Sequence, residues 1–372
     1  MKHTMRVAQP LFALIVIAMM LVTLITQRAA APPLIPPQVR VAPTNPKAGV
    51  HTRLTGIADA RYVATQLDMV AAMGTPWIVD LFPWAYAQPR SAYGYDWRGF
   101  DMLIDHAHAR GLRIIARLDI VPAWARPAGS SDRLLLPQRY AAYRDYVVAF
   151  TQRYHTRGVS HIIIWNEPNL RFEWGGRAPD PQAYAQLLAS VYPAVKAVAP
   201  EMTVIAGALS PGPSIGDQAE VRLGDEAYTE AFFDAGGGKY IDAWGVHAYG
   251  GQHPADDDPN WQTVNFRRTE LIYKQISRYV DVPLYITEGG WNDASRWQLA
   301  VTPAQRIRWS IAAYQRTQSW PWAEVFAVWQ FGLPTPSRSY QDGWNMVASD
   351  GTPRAIYTEL QAVLSQQSGT TP

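Results

Sequence analysis

The sequence predicts an α/β fold, a (β/α)8 barrel in a single domain, on three observations. From about residue 48 onward, short apolar runs alternate with stretches of helical periodicity, the pattern of repeated strand-helix units around a parallel sheet. The polar residues that end these runs recur at intervals of about 40 residues, the length of one strand-loop-helix-loop unit. The competing open, doubly wound sheet usually carries a glycine-rich phosphate turn after its first strand, and the chain has neither G-x-G-x-x-G nor a Walker A pattern.

Seven runs are clear: "WIVDLF" from Trp77, "RIIARLD" from Arg113, "HIIIWNE" from His161, "TVIAGAL" from Thr203, "AWGVHAY" from Ala243, "PLYITE" from Pro283 and "VFAVWQF" from Val325. A weaker eighth is expected near "HTRLTG" at His51. The intervening helices carry start signals. Thr302-Pro303-Ala304-Gln305 offers a capping threonine, a proline at the first helical position and a capping-box glutamine, and Asp180-Pro181 and Thr352-Pro353 repeat the device. Gly74, Gly111 and Gly158 stand where helices should stop, each shortly before a strand.

With 372 residues and 48% hydrophobic content, the chain can bury a sizeable core. Its 33 basic and 31 acidic side chains give a formal charge of +2, too balanced to imply a nucleic-acid partner. Zero cysteines exclude disulfides, thiolate metal sites and cysteine nucleophiles. Lys2, His3 and Arg6 precede an apolar run, Leu11 to Thr26, and Ala29-Ala30-Ala31 offers an A-x-A cleavage site. Residues 1–31 are therefore expected to be an export signal, cleaved or retained as a membrane anchor, and the protein to be secreted or extracytoplasmic. A proline-rich linker is expected over 32–47, the barrel over 48–366 and a short tail over 367–372, the whole acting as a monomer.

In such a barrel, chemistry sits at the C-terminal ends of the strands. Asp119, Asn166, Glu167, His247, Glu288 and Gln330 end their runs, with Trp165, Tyr249, Trp291 and Trp329 beside several of them. Aromatic faces next to carboxylates suggest sugar. Glu167 follows the fourth strand and Glu288 ends the seventh, which places them across the mouth from one another. A facing pair suits glycosidic cleavage, where one carboxyl must hold a proton for the leaving oxygen while the other stays ionised.

"WNEPN" at 165–169 and "ITEGGW" at 286–291, with "DWRGFDMLIDHAHARGLRIIARL" from Asp96 and "DAWGVHAYG" from Asp242, resemble the glycoside hydrolase clan of (β/α)8 barrels known as clan A, and within it families 39 and 5. The resemblance spans roughly residues 50 to 365. It implies a retaining glycosidase acting on β-linked glycosides, with Glu167 as acid/base and Glu288 as nucleophile. It also implies Asn166 as partner of the sugar 2-hydroxyl, Tyr249 as a hydroxyl donor to Glu288, His247 as a brace at the end of strand six, and Trp329 as the floor of the −1 subsite. Trp291, Trp124 and Asp119 join the expected substrate contacts. The arginine that this clan often places near the nucleophile on strand two is absent from "WIVDLFPW", where Asp80 stands, and Arg117 on strand three is the candidate to replace it.

Other features carry blander readings. His106 and His108 face different directions on one helix and suit a solvated face better than a metal. Asp256-Asp257-Asp258 lacks the ligand spacing of a calcium loop. Of the 15 tryptophans, Trp77 and Trp244 are expected in the core, while Trp84, Phe172, Trp174 and Trp297 fall where sugar platforms are possible. No cofactor or metal is expected, and the only expected partner is a carbohydrate substrate. The alternative from another class is a non-catalytic carbohydrate-binding barrel displayed at the cell surface, which would gain nothing from two mutually repelling glutamates.

Overall fold

The computed structural model describes residues 34–38, 42–214 and 220–366. The expected export segment 1–31 and the tail 367–372 lie outside the described residues. Among the described residues no helix is long and apolar enough to cross a membrane.

Eight strands form a closed parallel barrel: β1 (Ala48–His51), β2 (Trp77–Leu81), β3 (Arg113–Leu118), β4 (Val159–Ile164), β5 (Thr203–Leu209), β6 (Ala243–Tyr249), β7 (Leu284–Gly290) and β8 (Ala323–Val328). Closure comes from β1 against β8, with Ala48, Gly49 and Val50 opposite Phe326, Ala327 and Val328. One main helix follows each strand: α1 (Ala60–Ala72), α2 (Arg98–Ala109), α3 (Tyr140–Tyr154), α4 (Pro181–Val198), α5 (Asp225–Asp234), α6 (Arg268–Ile276), α7 (Pro303–Ser319) and α8 (Ala355–Leu364).

The strands read as unbroken apolar runs because both faces are covered. In β4, Ile163 points into a barrel-interior cluster with Trp77, Val79, Ile115, Ile205 and Tyr285. Ile162 and Ile164, one step either side, join the layer between sheet and helices.

Two start signals act as expected. The Thr302 hydroxyl accepts from Gln305 N while the Gln305 side chain accepts from Thr302 N, and the Asp180 carboxylate accepts from Ala183 N. The third does not: α8 begins at Ala355 after Arg354, because Thr352 and Pro353 are drawn into a bridge with Ala348 and Val347. Gly74 ends α1 with φ 83°, and a Cβ there would stand 2.2 Å from Leu364 O.

Three further expectations are corrected. The first strand lies at Ala48–His51, ahead of "HTRLTG", whose residues after His51 form the loop leaving the barrel. The expected linker is partly built into the domain. Ile35 N donates to His106 Nε2 at 3.1 Å, and Ala42–Pro43 pairs antiparallel with Ser365–Gln366. His106 is accordingly buried, its Nδ1 donating to Met102 O at 2.8 Å, and is no part of a solvated face.

Buried tyrosines tie the helices to the strand ends below the mouth. Tyr143 on α3 donates to Leu118 O, Tyr184 on α4 to Ile164 O at 2.7 Å, and Tyr314 on α7 to Gly49 O at 2.7 Å. The Tyr184 hydroxyl also accepts from Gly207 N, so it bridges β4 and β5 next to the Asn-Glu-Pro turn. Tyr184→Phe strands both backbone groups, and we expect it to lower the unfolding free energy by about 1–3 kcal/mol. Urea titration should show a lower midpoint at unchanged slope; an unmoved midpoint would mean that the bridge contributes nothing.

Candidate active site

A cleft of about 740 Å³ opens at the C-terminal mouth of the barrel, and Asn166, Glu167, Tyr249, Glu288 and Trp329 all line it. The apolar run of β4 stops where it does because the backbone turns. Trp165 takes φ 75° and Glu167 φ 37°, left-handed values that are strained for side chains of this size. The turn swings Trp165 outward, where its indole donates to Glu173 O at 2.9 Å, and leaves Asn166 and Glu167 at the mouth. Glu167 N donates to Ala208 O at 3.0 Å, while the Asn169 side chain donates to Ser210 O and Leu223 O, so β5 and its following loop hold the turn in place.

Glu288 reaches the mouth by a different device. Tyr285 faces the barrel interior, so strict alternation would send residue 287 inward and 288 outward. The β6–β7 ladder instead shifts register, passing from Val246–Ile286 to His247–Glu288. This irregularity re-aims Glu288 into the cleft.

The glutamates meet different partners. Glu288 accepts from Arg117 NH1 at 2.8 Å through Oε1 and from the Tyr249 hydroxyl at 2.6 Å through Oε2. Glu167 Oε1 lies 2.8 Å from His247 Nδ1, and the same nitrogen is 3.6 Å from Glu288 Oε2. Arg117 also donates to Asn166 Oδ1 at 3.0 Å, and its Nε faces Asp119 Oδ2 at 3.1 Å. Burial disfavours charge on His247, but Glu288 and Glu167 outweigh it and raise its pKa above the ordinary imidazole value. Burial, reinforced by Glu288, lifts the Tyr249 phenol well above its usual range and keeps it a donor. His51, buried beside Arg117 and Arg53, is pushed the other way and stays neutral, with Nδ1 donating to Thr52 O at 2.9 Å.

Four of the expected contacts do not line the cleft. His247 sits beneath it, fully buried against both glutamates, which fits a brace and not a substrate contact. Asp119 lies behind Arg117, where burial raises its pKa. Trp291 is core: 1% exposed, it donates to His253 O at 2.8 Å and packs on Trp309 and Phe266. Trp124 is half-buried, edge-on to Trp84, with its indole donating to Gln88 O at 2.8 Å. Trp84 and Trp174 are also fully buried. Arg117, the strand-three candidate, does stand beside Glu288 and donates to it.

Tyr340, Trp344, Arg133 and Arg53, which the sequence reading missed, complete the walls together with Trp297 and Phe172, which it placed among the candidate sugar platforms. Tyr340 stacks on Trp297 at 5.3 Å and Trp344 stands edge-on to Tyr249 at 5.1 Å along one side; Phe172, with Arg133 at 4.9 Å over its ring, stands on the other. Arg53, two residues past β1, lies 5.6 Å from the centroid of Trp329. Its place just after a strand end was the available signal.

No protein-family model and no curated protein matches this sequence. Solved structures do match it in fold. A family 39 glycoside hydrolase from the gut symbiont Bacteroides cellulosilyticus shares 18% identity at TM-score 0.64, over 90% of this chain and 65% of that one. A monomeric beta-xylosidase from Caulobacter crescentus shares 19% at 0.61, over 87% and 69%. A psychrophilic family 10 endo-beta-1,4-xylanase shares 14% at 0.55, over 85% and 96%. At these identities the likeness establishes a shared barrel architecture.

The raised pKa of His247 has a consequence for stability. Its pairing with the glutamates contributes fully below the unfolded imidazole pKa of about 6.5 and fades as pH climbs through the higher folded value. Thermal unfolding of His247→Asn against the unsubstituted protein should therefore show a Tm gap that is widest near pH 6 and narrower near pH 9. Equal gaps would contradict the charged pairing.

Proposed function

We propose that the chain is a retaining glycoside hydrolase that cleaves β-linked glycosides outside the cytoplasm. The observation that carries this is the convergence of Glu167 and Glu288 on His247 Nδ1, at 2.8 and 3.6 Å, with unlike partners on each. These two oxygens can stand no farther apart than the two distances laid end to end. That bound admits the roughly 5–5.5 Å carboxyl spacing of a retaining pair.

In the first step a Glu288 oxygen attacks the anomeric carbon while the Glu167 carboxyl passes its proton to the departing glycosidic oxygen. A glycosyl ester forms as the C–O bond to the leaving group breaks. In the second step Glu167, now a carboxylate, takes a proton from water as that water attacks the same carbon and frees Glu288. Arg117 and Tyr249 orient Glu288 through its two oxygens. Because Arg117 occupies Asn166 Oδ1, the Asn166 amide NH2 is the end left to donate to the 2-hydroxyl, and Trp329 supplies the apolar floor. Export rests on the basic start and apolar run of residues 1–31.

The test is stereochemical. NMR of the first-formed sugar should show the anomer of the substrate. Glu288→Ala should lose about 10⁴-fold or more in kcat and be rescued by azide with inverted product. Glu167→Ala should keep turnover on activated aryl glycosides and be rescued with retained product. Wild-type product of inverted configuration would overturn the mechanism even if both glutamates proved essential.

A further inference from the structure

We propose that the sugar taken by this cleft carries an anionic group, a uronic carboxylate or a sulfate ester, and that Arg53 with Arg222 reads it; the proposal rests on the glycosidase reading above.

The charges lining the cleft do not balance within the protein. Arg53, Arg117, Arg133 and Arg222 face it, against Glu167, Glu173 and Glu288. Arg117 is bound to Glu288 and backed by Asp119, Arg133 is bound to Glu173, and Glu167 is bound to His247. Two guanidinium groups are left over. Among the described residues, Arg53 has no hydrogen-bond acceptor and no carboxylate within 4.0 Å. Arg222 donates to Pro211 O and, at 3.4 Å, to the Ser210 hydroxyl, while its buried Nε has no acceptor. Burial and then the neighbouring Arg117 lower the Arg53 pKa, and the more distant carboxylates of Asp80, Glu288 and Asp119 compensate only in part.

A neutral sugar can only accept hydrogen bonds from such a group, whereas an anion also offsets its charge. The placement is specific. Arg53 follows β1 and Trp329 follows β8, neighbours across the closure, so the guanidinium stands over the ring that floors the sugar beside Glu288. Its planar fork matches the paired oxygens of a carboxylate or a sulfate. Arg222 stands past β5, on the Glu167 side, where Glu167 is the largest favourable charge it feels. The two cations thus enter the cleft from the β1 and β5 ends of the barrel mouth.

The probes are 4-nitrophenyl β-glycosides of gluco and galacto configuration in matched sets with CH2OH, carboxylate or sulfate ester at C6, plus the β-xyloside. One anionic member should exceed its neutral counterpart in kcat/KM by about tenfold or more, and which member does so identifies the anion. Arg53→Gln should lower that anionic-to-neutral ratio by roughly 10- to 100-fold, Arg222→Gln should lower it less, and Arg53→Lys should restore part of it. Hydrolysis confined to neutral glycosides, or a ratio that Arg53→Gln leaves unmoved, overturns the proposal and leaves the glycosidase reading standing. Hydrolysis of no member, under conditions where Tm shows a folded protein, fails that reading and the proposal with it.

Discussion

Everything at the mouth depends on the seam where β8 closes onto β1. A helix returns the chain between successive strands, so all eight run one way, and closure gathers their ends round one mouth. The seam is tight. A Cβ on Gly49 would stand 3.1 Å from Val325 Cγ1 and 3.2 Å from Trp77 Cβ, so the shortest strand closes the ring where a side chain would press on both neighbours. His51 and Arg53, on or just past β1, are brought across that seam to Trp329, which follows β8.

A second constraint follows from burial. The mouth gathers buried charged groups, and a buried charge is costly away from its opposite. The chain meets this with a row of alternating sign: Asp119, Arg117, Glu288, His247. Each inner member touches a charge of opposite sign on either side, and Tyr249 adds a neutral donor to Glu288. Asp119 belongs to this row although it does not line the cleft, which is why a polar strand end in the sequence is not by itself a cleft residue.

The limits of sequence legibility follow the same physics. The ranges of β5 and β6 could be read residue for residue, because apolar runs buried on both faces leave no ambiguity about where they end. The two glutamates were legible because they combine a strand end with a fixed spacing. The first strand was misplaced because four residues with a glycine carry little pattern. Trp291 and Trp124 were misread because a tryptophan suits a core and a sugar platform equally well. Only the loop path decides, here by seating Trp291 on Gly250, where a Cβ would come within 2.1 Å of its ring. The pairing of Arg133 with Glu173 and the solitude of Arg53 are properties of three-dimensional neighbours that no one-dimensional spacing encodes.

The shared imidazole gives the site a further property if it works as proposed. Before reaction Glu288 is the carboxylate and Glu167 holds the proton; in the glycosyl-enzyme Glu288 is an ester and Glu167 is the carboxylate. His247 lies 3.6 Å from the first and 2.8 Å from the second, so it faces one negative charge at both stages. With the imidazole protonated, the negative charge passes from one side of it to the other and the ring need not move. Reorganisation is the cost a preorganised site avoids, and a single buried histidine between the two glutamates avoids it for both half-reactions.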